Sequence, residues 1–269
     1  MTYEPHATLY RHAFAHYDCK LVQHSIRDWV ELIKPESVLI IGDSVLRDPF
    51  CLILYKNLVG EGKIDKQCRW SDSAEYHTSN KLLSYERADE GKSKINFHWN
   101  PQGDPERLEE FLKQLASPPT HVYLSIALWL AKMDVEDYLV TMKVFLHTLE
   151  SSVPETTKIV LRSSAGVVQQ IQCYDRIGGQ RFRLERMNAG LQLLVKDQFP
   201  RIQYMNLYPL FDAQPGSSPD GRHWGAQGHT YDARPSIGIV EHQAFQALFH
   251  HWWRADVEMR ASQAAQALS

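Results

Sequence analysis

Val38-Leu39-Ile40-Ile41-Gly42-Asp43-Ser44-Val45-Leu46-Arg47 is the stretch from which the rest of this chain is read. Four consecutive apolar residues mark a strand buried on both faces, as in a parallel sheet, and Gly42-Asp43-Ser44 breaks the run before a second apolar pattern begins. The reading is strand, tight turn, helix. Ser44 then stands at the carboxyl edge of a parallel sheet, where open α/β folds keep their ligand crevices, with the amino end of a helix behind it. A serine so placed is expected to be exposed, with backbone N–H groups able to face a developing oxyanion.

A second informative stretch lies far downstream, at Asp220-Gly221-Arg222-His223-Trp224. A serine hydroxyl is a poor nucleophile at neutral pH. It needs a histidine to take its proton and usually an acidic group to fix that histidine's tautomer. Asp-x-x-His supplies both, with the carboxylate reaching one ring nitrogen while the other faces the serine. His229 and Asp232 lie close enough in sequence to form a rival pair. Each motif alone is common; their order, a first-strand serine followed by a late Asp-x-x-His, is the informative feature.

Gly42-Asp43-Ser44 after the first apolar strand, with Asp220-Gly221-Arg222-His223-Trp224 near the end, resembles the SGNH (GDSL-like) hydrolases, a superfamily of esterases, lipases and acyltransferases. Within it, Gly42-Asp43-Ser44-Val45-Leu46-Arg47, the Asp-Gly-x-His-Trp form and Leu128-Trp129 at the end of a middle strand resemble the PC-esterase branch, which includes the trichome-birefringence-like acyltransferases. The resemblance implies Ser44 as nucleophile, His223 as base and Asp220 as the group that orients it. The superfamily's third motif block usually offers an asparagine to the oxyanion hole, and this chain has Ser125 there, a shorter donor. Asp43 is read as supporting the nucleophile turn. Arg47 either orients a substrate anion or pairs with an acidic neighbour. Trp129 and Trp224 are read as packing residues or substrate platforms.

The chain has 269 residues, 43% hydrophobic and 23% charged, enough for one large α/β domain with its core at about residues 35–253. A net charge of −3 argues against nucleic acid or an anionic surface as partner. The start lacks a basic region followed by an apolar stretch, and no window is long and apolar enough to span a membrane. The four cysteines, Cys19, Cys51, Cys68 and Cys173, are scattered without metal-ligand spacing and too sparse for a disulfide scaffold. A reducing, cytoplasmic compartment is the expectation from these features. His12 and His16 stand four apart, as helical metal ligands can, but lack a third ligand nearby. No metal and no cofactor is therefore assigned, and the oligomeric state is left open.

Apolar spacing predicts a helix from Leu21 to Ile33, another from Leu46 to a stop at Gly60, and one opened by Asp104-Pro105. Residues 61–103 are the least regular, with Ile95–Trp99 as a short strand; insertions of this kind often shape a substrate pocket. A strand over His121–Trp129 follows, then a helix capped by Asp134, a strand at Lys158–Arg162 with the small-residue turn Ser163-Ser164-Ala165-Gly166, and a helix near 180–198. A last strand at Ile202–Met205 precedes the Asp-x-x-His segment, and a helix from Ile237 to Trp252 closes the domain before an Ala- and Gln-rich tail. This alternation predicts a three-layer α/β/α sandwich around a parallel sheet. Three functions fit: an esterase working through an acyl-enzyme on a small-molecule, lipid or sugar ester; an acyltransferase using the same triad; or a repurposed, non-hydrolytic scaffold.

Overall fold

The structure, a computed structural model, describes residues 24–60, 68, 79–165, 181–213 and 239–267. Helix α1 (Ile26–Ile33) leads into β1 (Ser37–Gly42), followed by α2 (Ser44–Pro49), a π-helical turn at Phe50–Tyr55 and α3 (Lys56–Val59). Then come β2 (Lys81–Glu86), β3 (Lys92–Trp99), α4 (Pro105–Gln114), β4 (His121–Ser125), α5 (Val135–Ser152) and β5 (Lys158–Arg162). Helix α6 (Arg181–Gln198), β6 (Ile202–Met205), α7 (Tyr208–Asp212) and α8 (Ile239–Ala267) complete the order.

The sheet order is β2-β3-β1-β4-β5-β6, with β1 parallel to both neighbours. Every residue of β1 is buried, as its unbroken apolar run requires. Val38 and Ile40 enter one core with Trp29, Phe50, Phe97, Phe245 and Trp252, while Leu39 and Ile41 enter the opposite core with Leu108, Tyr138, Phe145 and Met187. Successive side chains of a strand point to opposite faces, so one strand seals both helical layers. Removing about 1.5–3 kcal/mol worth of apolar surface per side chain from water is what ties each layer to the sheet. The α/β/α sandwich follows.

Several elements differ from the sequence reading. The sheet is not wholly parallel: β2, which the irregular character of 61–103 concealed, pairs antiparallel with β3. Its Leu83 and Tyr85 are buried and its alternate residues exposed, the pattern of an edge strand with one wet face. Strand β4 ends at Ser125 rather than Trp129, because its partner β1 ends opposite it at Gly42; beyond, the backbone turns, with Leu130 N–H donating to Ala127 O at 3.0 Å. Asp134 occupies the N-cap position of α5 with extended backbone but makes no side-chain bond there. After Pro49, which has no N–H to donate, the helix widens into its π-turn before stopping at Gly60, where φ is 99°. The cysteines also depart from expectation. Cys51 and Cys68 are joined by a disulfide, their Cα atoms 5.0 Å apart. Such bonds belong to oxidising environments, so cysteine usage no longer supports a reducing, cytoplasmic compartment. Among the described residues, no helix is long and apolar enough to cross a membrane.

Two buried histidines give the fold a pH dependence. The Thr120 hydroxyl donates its proton to Ser37 O, so His121 Nδ1, 2.9 Å away, is the donor to Thr120 Oγ1. His121 Nε2 is left bare, and burial, aided by Lys158, pulls this side chain's pKa down to about 3. Burial, aided by Arg107 and opposed by Asp104, takes His98 down to about 4. A folded-state pKa below the usual 6.5 means that the unfolded chain binds more protons between the two values. Stability is therefore full above about pH 6.5 and falls as pH drops from there toward 4 and then 3, each histidine removing on the order of a few kcal/mol. Urea denaturation at pH 7 and pH 4.5 measures this; His121→Gln flattens the slope, and an unchanged midpoint would show that these rings charge without penalty.

Candidate active site

Gly42-Asp43-Ser44 forms the turn between β1 and α2. Gly42 is there because the chains approach too closely for a side chain: a Cβ would lie 2.8 Å from Ser125 O and 3.0 Å from Leu46 Cδ1. Gly42→Ala must push β1 and β4 apart, and overpacking of this kind costs about 1–3 kcal/mol. A lowered thermal midpoint in a melt is the expected outcome.

Asp43, not Ser44, is the N-cap of α2: its Oδ1 accepts from Val45 N–H at 2.8 Å, and its carbonyl accepts from Arg47 N–H at 2.9 Å. The ordinary reason for a serine at a helix start, capping, is thus already served by its neighbour. Ser44 is 8% exposed, more enclosed than a serine on an open crevice edge.

Ser125 sits opposite Gly42 in the β1–β4 register, with its hydroxyl donating to Ser163 O at 3.4 Å. A hollow of about 10 Å³, room for one water, opens beside the turn. Asp43, Ser125 and Ser164 give it polar groups; Val45, Ala127, Leu128, Ala165 and Leu184 give it apolar walls. The turn after β5 therefore lines the same hollow as the turn that carries Ser44. Asn188, which carried no signal in sequence beyond its place on a helix, holds Ser164: its Oδ1 accepts from Ser164 N–H at 2.9 Å and from Ser164 Oγ at 3.0 Å.

Arg47 is buried and paired with an acidic neighbour. Its Nη2 and Nε reach Asp48 Oδ1 at 2.6 and 2.8 Å, and its Cζ lies 5.6 Å from the Trp99 ring centre. Trp129 meets Trp99 edge to face at 6.3 Å and is 52% exposed. One cation and two indoles thus stand in line, from buried Arg47 to exposed Trp129. Asp220, His223 and Trp224, with the rival His229 and Asp232, lie outside the described residues. No group of three metal-ligating side chains occurs among the described residues.

No family profile matches the chain, and no curated protein matches it. Solved structures do. A catalytic mutant of Axe2, an acetylxylan esterase from Geobacillus stearothermophilus, aligns over 80% of this chain and 94% of its own, at 11% identity and a TM-score of 0.45. A member of the lipolytic protein G-D-S-L family from Veillonella parvula aligns over 79% and 96%, at 13% identity and a TM-score of 0.45. The solved structures similar to this chain thus include an acetylxylan esterase and a lipolytic G-D-S-L protein.

Proposed function

We propose that this chain is a single-domain, serine-dependent esterase of the SGNH (GDSL-like) type. The observation that carries the reading is topological. In the order β3-β1-β4-β5-β6 of the parallel strands, the chain crosses from one side of β1 to the other, so the switch point lies at the carboxyl ends of β1 and β4. Open α/β sheets bind ligands at such a point. Ser44 follows β1 at that end, and Asp43, Val45, Ser125 and Ser164 line a mostly apolar hollow there.

In this reading Ser44 Oγ attacks the acyl carbon of an ester while His223 takes its proton, and Asp220 holds His223 in the tautomer that can accept it. The carbonyl oxygen becomes an oxyanion, stabilised by the Ser44 backbone N–H and by the Ser125 hydroxyl once it turns from Ser163 O. The C–O bond to the alcohol breaks as His223 returns the proton to it, leaving an acyl-enzyme. Water then repeats the sequence and frees Ser44. Resemblance to the PC-esterase branch adds acyl transfer to an alcohol as a second outcome of the same intermediate. In this reading Trp129, an exposed aromatic after β4, meets the substrate, and the partner is a small-molecule or lipid ester.

A fluorophosphonate probe tests the core of this proposal, because it forms a stable adduct only with an activated serine. Mass spectrometry of the intact protein and its peptides is expected to place one adduct on Ser44. A folded protein that stays unlabelled, or labels elsewhere, leaves the repurposed scaffold as the better account.

A further inference from the structure

Ser125 and Ser164 line one hollow of about 10 Å³, whose wall also includes Asp43 and Val45, the neighbours of Ser44 on either side. Both serines are buried, and the rest of the described wall is apolar. In surroundings this dry a hydroxyl is a stronger donor to a developing charge than it is in water.

Neither hydroxyl is firmly engaged. Ser125 Oγ donates to Ser163 O at 3.4 Å, a long and therefore weak bond. Ser164 Oγ donates to Asn188 Oδ1 at 3.0 Å, but that oxygen already accepts from Ser164 N–H at 2.9 Å. A backbone N–H can only donate, so the amide atom facing it is the oxygen, and the hydroxyl brings a second bond to an acceptor that is already served. Ser164 Oγ can therefore turn away and leave Asn188 Oδ1 paired. Asn188 Nδ2 is buried without a partner among the described residues, so the amide is kept for its oxygen.

The backbone around these hydroxyls is fixed. Ser163 N–H donates to Met205 O at 3.0 Å, Ser163 Oγ accepts from the N–H groups of Leu207 and Tyr208 at 2.9 and 2.8 Å, and the Tyr204 hydroxyl donates to Asn188 O at 3.0 Å. A rigid turn with a hydroxyl free to rotate is the form a preorganised donor takes. The hollow has room for one water, hence for one oxygen atom of an ester rather than for a chain. Asp43 in the same wall opposes negative charge there, so a single neutral hydroxyl is weak support for an oxyanion. We propose that Ser164 is a further catalytic residue: its hydroxyl turns from Asn188 to the ester oxygen seated in the hollow and joins Ser125 in donating to the oxyanion. The proposal rests on the esterase reading, in which Ser44 attacks that ester.

The test compares full-length wild type with Ser164→Ala, Ser164→Cys, Ser125→Ala and the double Ser125→Ala, Ser164→Ala. Two quantities are read: turnover of 4-nitrophenyl acetate, and binding of butylboronic acid, which adds to an active-site serine as a tetrahedral adduct with an oxygen at the oxyanion position. Alanine at 164 keeps the backbone N–H that Asn188 accepts, so circular dichroism and a melt are expected to match wild type. In Ser164→Ala, kcat should fall about tenfold to a hundredfold with KM within about twofold, because losing one such donor costs about 10²–10³ and here others remain. The boronic acid should bind more weakly by a similar factor. Cysteine, a weak donor, should fall between serine and alanine and carries the same comparison if Ser164→Ala does not fold. The double variant should fall below either single one. A folded Ser164→Ala protein with wild-type kcat and boronic acid affinity overturns the proposal, as does a loss confined to KM, which makes Ser164 part of the substrate wall alone. Wild type that neither turns over the ester nor binds the boronic acid instead fails the esterase reading, and this proposal with it.

Discussion

Ser44→Ala is expected to reduce turnover of an activated ester by about 10⁴–10⁶-fold while leaving the fold in place. The size follows from what the hydroxyl does: without it no acyl-enzyme forms, and only binding and oxyanion donors remain to favour hydrolysis over the background. The small cost in stability follows from the turn itself. Because Asp43 caps α2, the helix start survives the change, and losing one buried hydroxyl costs about 1–2 kcal/mol. Steady-state kinetics with circular dichroism and a thermal melt separates the two effects. A Ser44→Ala protein that is folded and still turns over at near wild-type rate removes the triad.

His223→Ala should be nearly as damaging, and Asp220→Asn less so, down by about 10³–10⁴-fold, because an orienting carboxylate is not itself consumed and the imidazole can still find its acceptor tautomer part of the time. The ranking is the informative part. Members of a unit that acts together lose activity non-additively, so His223→Ala in a Ser44→Ala background should add almost nothing. Asp220→Asn with wild-type kinetics moves the acid role to Asp232, and the same result for His223→Ala moves the base to His229; the corresponding changes at those positions then abolish activity instead.

Much of the frame was legible in local pattern. β1 and β5 are built on short apolar runs; α4 carries its Asp104 cap, bonded to the N–H groups of Glu106 and Arg107, and the proline that follows it. Such signals are local because helix caps and strand burial depend on residues within a few positions of each other. β2 was missed for the opposite reason. A half-exposed edge strand of mixed composition needs its partner β3 before its pattern means anything, and the Cys51–Cys68 bond likewise depends on a contact made only in three dimensions.

By itself the sequence determined that Ser44 follows a buried strand across a tight turn and that an Asp-x-x-His comes late, since both are statements about neighbours in the chain. It also determined the alternation that makes a layered α/β fold, because apolar period is set by strand and helix geometry. Only the tertiary structure decided that Ser125 faces Gly42 at the switch point of the sheet, that Arg47 is taken by Asp48, and that Arg162 joins Phe211 to Glu241. Those relations follow from strand order and register, and which charge meets which across a core is fixed by packing between segments far apart in sequence, where burial makes an unpaired charge too costly to keep.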